Sequence, residues 1–184
     1  QHNLHSLHIL WRGHPHFLHN GLIKFRRWTI EDTPSSIVYG QSSTKGEINL
    51  MKAVVHYSYG LPDVLKLEEA EKPAVTDDGV LVRIHASSVN PAEWYGMTGL
   101  IIARFSGGLF KPKDPRIGGD FAGVVEAVGS QVTHLRPGDE VYGGRSGAFA
   151  DYVNVRNAVV RKPANVTFEE AAAAPTAAIT ALQG

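Results

Sequence analysis

Between residues 51 and 161 the chain is written in short apolar runs separated by Gly, Pro and Asp-Gly, and that cadence limits the fold more than any other feature. Residues 80–86 (Val-Leu-Val-Arg-Ile-His-Ala) follow the Asp77-Asp78-Gly79 turn and alternate between apolar and polar, as a strand with one face buried requires. Residues 64–68 alternate likewise. Residues 121–129 are Val-rich and end on Gly129, which reads as a strand buried on both faces. Arg136-Pro137-Gly138-Asp139 is a tight turn feeding residues 140–142. Residues 54–57, 148–155 and 158–161 complete the set. Strands recurring every ten residues or so with this punctuation give a barrel or sandwich, not a helical bundle.

The C-terminal stretch changes period. Thr167 and Glu170 have the spacing of a capping box, and the alanines at 171–174 are strong helix formers. Pro175 should break or kink that helix, and a second helical run is expected over 176–182. The N-terminal stretch differs from both. Six of the nine histidines lie in the first twenty residues, residues 11–28 show no steady period, and residues 31–49 are rich in Ser, Thr and Gly. The division expected is a non-family extension, irregular or disordered, over residues 1–50 and a folded unit over 51–184. The histidines could ligate a metal, but no carboxylate or cysteine supports the spacing, and a tract under no folding pressure is the simpler reading.

Composition removes several functions. The 18 basic and 18 acidic residues give no net charge, which argues against nucleic acid as a partner. No cysteine is present, so disulfides and thiolate-ligated zinc are impossible. No apolar run reaches the ~18 residues of a membrane span, and no signal-peptide core is visible, so a cytoplasmic chain without a membrane partner is expected.

Three segments carry chemistry: Ser88-Val89-Asn90-Pro91-Ala92-Glu93-Trp94-Tyr95 leading to Gly99; Gly118-Gly119-Asp120-Phe121-Ala122-Gly123 through Gly129, followed by Pro137-Gly138-Asp139; and Ala172-Ala173-Ala174-Pro175 through Thr180. In this order and spacing they resemble the N-terminal half of medium-chain dehydrogenase/reductases, in the zinc-free, quinone-oxidoreductase-like branch. The resemblance covers residues 51–184.

It implies a mainly β fold with short helices: a GroES-like, partly open β-barrel that carries the catalytic site. A Rossmann domain would follow in such enzymes. No Gly-x-Gly-x-x-Gly turn occurs in this chain, since Gly143-Gly144-Arg145-Ser146-Gly147 has the wrong spacing. The chain is therefore expected to be a partial enzyme, truncated before its nucleotide-binding domain. Zinc enzymes of the superfamily use Cys, His and Cys at positions matching Asn90, Gly119 and Thr176, none of which is a competent ligand. No zinc is expected, and Asp120 stands where those enzymes have a glutamate beside the metal.

The activity implied is hydride transfer from NADPH, or less readily NADH, to a quinone, an enone or a similar small conjugated carbonyl compound, in a homodimeric parent. Enoyl-thioester reduction and a non-catalytic GroES-like interaction module are the alternatives. By resemblance, Asn90 and Tyr95 lie at the cleft near the nicotinamide and serve catalysis and cofactor binding, and Thr180 lies near the ribose. The pair Asn90-Pro91 also fits a helix N-cap with proline at the first helical position.

Overall fold

The computed structural model describes residues 8–11 and 49–184. The elements run β1 (His8–Trp11), β2 (Leu50–Val55), a 3-10 turn at Pro62–Val64, β3 (Lys66–Glu71), β4 (Val80–Val89), α1 (Pro91–Thr98), α2 (Ile101–Gly107), β5 (Asp120–Val128), β6 (Glu140–Gly144), β7 (Tyr152–Val155), β8 (Val159–Arg161), α3 (Phe168–Ala172) and α4 (Pro175–Gln183).

β4 organises the main sheet. β5 pairs with it antiparallel along one edge, and β6 and β8 extend the sheet beyond β5. The other edge of β4 is shared. β7 pairs antiparallel with Val80 to Arg83, and β1 pairs parallel with Ala86 to Val89. Register shifts at Leu81/Val82 and Ile84/Ala86 bend β4 against β5, which lets a ten-residue strand serve two neighbours in succession. β2 and β3 form a separate two-stranded ribbon. It is tied to the sheet by the bridges Ala53–Ala150 and Val55–Arg116 and by Val54 N–H donating to Phe149 O at 2.7 Å. The sheet stays open, so the fold is mainly β with short helices and not a closed barrel.

Val80, Val82, Ile84, Phe121, Val125, Val141, Val153 and Val155 meet in the principal core. Each such side chain contributes about 1.5–3 kcal/mol by leaving water. Most are β-branched, which suits a pleated surface. A second layer is made of small residues. Ala86 and Ala122 on the sheet receive Ala171 and Ala172 of α3, so this helix lies close to the strands. His85 stacks on Phe168 at 4.6 Å beside them. Thr167 caps α3 as expected. Its Oγ1 accepts from Glu170 N–H at 3.2 Å, and the Glu170 carboxylate accepts from Thr167 N–H at 2.9 Å.

Four expectations shift in detail. The strand expected over 64–68 lies at Lys66–Glu71, because Val64 closes the 3-10 turn that precedes it. The first strand of the folded unit lies over Leu50–Val55 and not 54–57, because His56 N–H leaves the ribbon to donate to Pro115 O. Only Tyr152–Val155 of the 148–155 run is ladder. Phe149 instead donates to Ile117 O and accepts from Val54, knitting the ribbon to the loop before β5. Helix α2 is additional to the sequence reading. In the N-terminal stretch, His8–Trp11 is a strand on the edge of β4, while the rest of the histidine tract and of the 31–49 segment up to residue 48 lies outside the described residues.

Candidate active site

The first residue of β5, the cap of α1 and the start of α4 converge on one carboxylate. Asp120 is 1% exposed. Its Oδ2 accepts from Asn90 Nδ2 at 3.1 Å and from Thr176 N–H at 3.0 Å, and its Oδ1 accepts from the Thr176 hydroxyl at 2.8 Å. Ser88 Oγ adds a long contact at 3.4 Å, and Ser87 Oγ holds the Asp120 backbone carbonyl. All these donors are neutral. A buried carboxylate is tolerated when hydrogen bonds replace its water, and here the unsatisfied N–H groups at the start of α4 help to do so.

Asn90 has two roles at once. Its backbone is extended and caps α1, with Pro91 at the first helical position, so the cap reading holds. The Glu93 carboxylate returns to Asn90 N–H at 2.6 Å. That leaves the Asn90 amide aimed at Asp120, with its orientation fixed. Glu93 is pushed above the ordinary carboxylate range, chiefly by burial and with a further contribution from the charge of Asp120. The N–H bond from Asn90 opposes the shift. Gly119 passes so close that a Cβ there would stand 2.6 Å from Glu93 Oε1. A side chain at this position would therefore push the Glu93 carboxylate aside.

Part of this net borders an open cleft of about 640 Å³, within the usual range for small-molecule sites. Glu93, Gly119, Asp120 and Thr176 line it, with Lys113, Arg116 and Arg145 among its cations. Arg116 forks onto Asp114 at 2.8 and 3.0 Å and holds that carboxyl below its usual range. Asn90, Gly119 and Thr176, the three positions matched to zinc ligands, are all brought to Asp120. Among the described residues no group of three His, Cys, Asp or Glu side chains is placed to hold a metal ion.

None of the three expected site residues, Asn90, Tyr95 and Thr180, lines the cleft. α1 turns Ala92, Glu93, Gly96 and Met97 to the cleft and leaves Tyr95 off that face, 48% exposed. Thr180 is exposed on α4 and donates its hydroxyl proton to Thr176 O at 2.7 Å. Glu93 is the residue that sequence reasoning passed over. The Asn-Pro-x-Glu spacing of a capping box was the signal that could have found it.

The family model described as "Alcohol dehydrogenase GroES-like domain" matches residues 76–164. The chain is 40% identical over 146 residues to 2-methylene-furan-3-one reductase of Solanum lycopersicum, and 38% identical over 150 residues to the chloroplastic NADPH-dependent alkenal/one oxidoreductase of Arabidopsis thaliana. Each alignment covers 73% of this chain and 36% of the relative. The solved quinone oxidoreductase of Coxiella burnetii superposes with a TM-score of 0.66 at 30% identity, over 73% of this chain and 44% of that one. The chain belongs to the medium-chain dehydrogenase/reductase superfamily, in its quinone-oxidoreductase-like branch. It spans little more than a third of the length of the curated relatives it matches, and corresponds to their N-terminal part.

Proposed function

We propose that this protein acts as a zinc-independent oxidoreductase, favouring NADPH, that reduces quinones or other small conjugated carbonyl compounds. The observation that carries the reading is the net around Asp120. Where zinc enzymes of the superfamily would gather metal ligands, the Asn90 amide and the backbone N–H and hydroxyl of Thr176 gather on a carboxylate. That donor set does not suit zinc, whose sites use thiolate, imidazole and carboxylate in tetrahedral array. It suits a carboxamide and ribose hydroxyls, which need neutral donors and acceptors held in fixed directions. The names of the relatives, a furanone reductase and an NADPH-dependent alkenal/one oxidoreductase, support the cofactor and the substrate class.

In this proposal Asn90, locked by Asp120, orients the nicotinamide end and the reacting carbonyl. Thr180, whose proton is committed to Thr176 O, offers its oxygen as acceptor to a ribose hydroxyl. Tyr95, exposed on α1 next to the cleft-lining Gly96, is proposed to offer its phenolic O–H to a carbonyl oxygen bound at the rim of the cleft, where negative charge grows during reduction. Bound NADPH would supply the hydride, and the second hydrogen enters as a proton from solvent. A homodimeric, cytoplasmic enzyme completes the proposal; light scattering and imaging of a tagged copy test both. The folded unit is proposed to be residues 51–184, since the four buried clusters described draw on Met51 to Ala172, with the His8–Trp11 strand added to the edge of β4 from outside that span.

The experiment is kinetic, on the complete enzyme with a panel of quinones, alkenals and enoyl thioesters. Tyr95→Phe and Asn90→Ala each remove about one hydrogen bond to a charged centre, so kcat/KM should fall roughly tenfold to hundredfold. Wild-type kcat/KM and cofactor affinity in Tyr95→Phe would reduce Tyr95 to an aromatic on the surface of α1.

A further inference from the structure

Among the described residues, the most unusual surface lies on α2 and the loop after it. Ile101, Ile102 and Phe105 are 72%, 80% and 78% exposed, and Phe110 is 89% exposed, with Leu100 and Leu109 at 50% and 54%. Six large apolar side chains within eleven residues make a contiguous patch in sequence, not the scattered apolar surface that every protein carries. α2 is not turned outward by accident. Its Ala103 and Gly107 line the cleft, and the bulky residues occupy the remaining faces.

The helix is also held firmly. The Arg104 guanidinium lies over the Tyr59 ring at 4.7 Å and donates from Nε to Gly99 O at 2.7 Å, while the Tyr59 hydroxyl donates to Gly108 O. The apolar side chains therefore project from an anchored scaffold. Exposed by 50–89%, none of the six side chains lines the cleft, and together they form an apolar ridge beside it.

Charge selects the occupant. From Leu100 to Arg116 there are four basic residues and one acid in a chain whose total charge is zero; Arg104 is engaged by Tyr59 and Gly99 O and Arg116 by Asp114, which leaves the charges of Lys111 and Lys113. Lys111 and Lys113 follow directly on Phe110 and are exposed. A second copy docking ridge to ridge across a two-fold axis would bring these like charges together. An anionic lipid surface has no such problem: apolar side chains enter the acyl boundary while lysines meet the headgroups.

We propose that α2 and the loop through Lys113 form an interfacial anchor that docks this protein reversibly onto anionic membranes, beside the mouth of the cleft. The sequence expectation of no membrane partner rested on the lack of a spanning segment and did not weigh an interfacial one. The proposal stands on the exposed ridge and its charge, independently of the oxidoreductase reading.

The test is flotation of the chain with phosphatidylcholine vesicles, with and without about 30% phosphatidylglycerol, at low and at about 0.5 M salt. The chain should float with the anionic vesicles at low salt and be weakened by salt. Phe110→Ser should lower partitioning roughly tenfold, as expected for withdrawing one aromatic ring from an apolar medium. Lys111→Ala and Lys113→Ala should lower it roughly fivefold each. All three side chains are exposed, so melting should not move and a folding defect is separable by circular dichroism. Absence of flotation, or flotation that Phe110→Ser leaves intact, would overturn the anchor. Concentration-dependent self-association abolished by Phe110→Ser, without flotation, would assign the ridge to a second copy instead.

Discussion

Asp120 is the residue on which the site depends, because its carboxylate is buried and all its partners are neutral donors. Asp120→Asn preserves volume but turns an amide N–H2 toward groups that already donate. One buried donor then lacks an acceptor, at a cost of about 1–3 kcal/mol and roughly 3–10 °C in melting temperature. An unchanged melting curve would show that the net is incidental to folding. Glu93 gives a pH signature. Its folded-state affinity for a proton is raised by burial, so between its ordinary and its raised titration range the folded chain holds more proton than the unfolded chain. Stability is full below that window and falls as pH climbs through it. Glu93→Gln keeps an oxygen for Asn90 N–H and should flatten that fall in a urea-melt series. An unaltered slope would place the titration elsewhere.

At the scale of elements, the junction between α1 and α2 turns on Gly99. It adopts φ +70, and a Cβ there would stand 2.5 Å from the Tyr59 ring. Gly99→Ala meets both the left-handed backbone penalty and the ring, and should cost about 1–3 kcal/mol by chemical denaturation. A neutral result would mean that Tyr59 yields easily and does not anchor α2. This junction also shows where sequence reading stops. The strands β4 and β5 and the Thr167 cap were legible because each rests on local rules: alternation, a turn before the strand, a hydroxyl three residues ahead of a glutamate. α2 was hidden, since its apolar residues face solvent and carry no amphipathic period. The pairing of β1 with β4 was hidden for another reason, as it joins residues nearly eighty positions apart. In the site, Asn90 was legible as a helix cap and as a candidate catalytic and cofactor-binding residue together. The meeting of Asn90 with Thr176 on Asp120 was not, because it depends on three elements folding to one point.

At the scale of the whole molecule, an open sheet, a carboxylate-centred net and a cleft lie together in what we propose is a nicotinamide-dependent reductase that works without zinc. The chain covers 36% of its curated relatives, so the decisive measurement belongs to the complete enzyme. That measurement is NADPH oxidation driven by a quinone or an alkenal, followed before and after exhaustive treatment with a zinc chelator. Turnover that survives the chelator unchanged, with protein containing well under one zinc per chain, is the result this account predicts. Turnover that collapses on chelation and returns with zinc would contradict it, and would require ligands that Asn90, Gly119 and Thr176 do not provide.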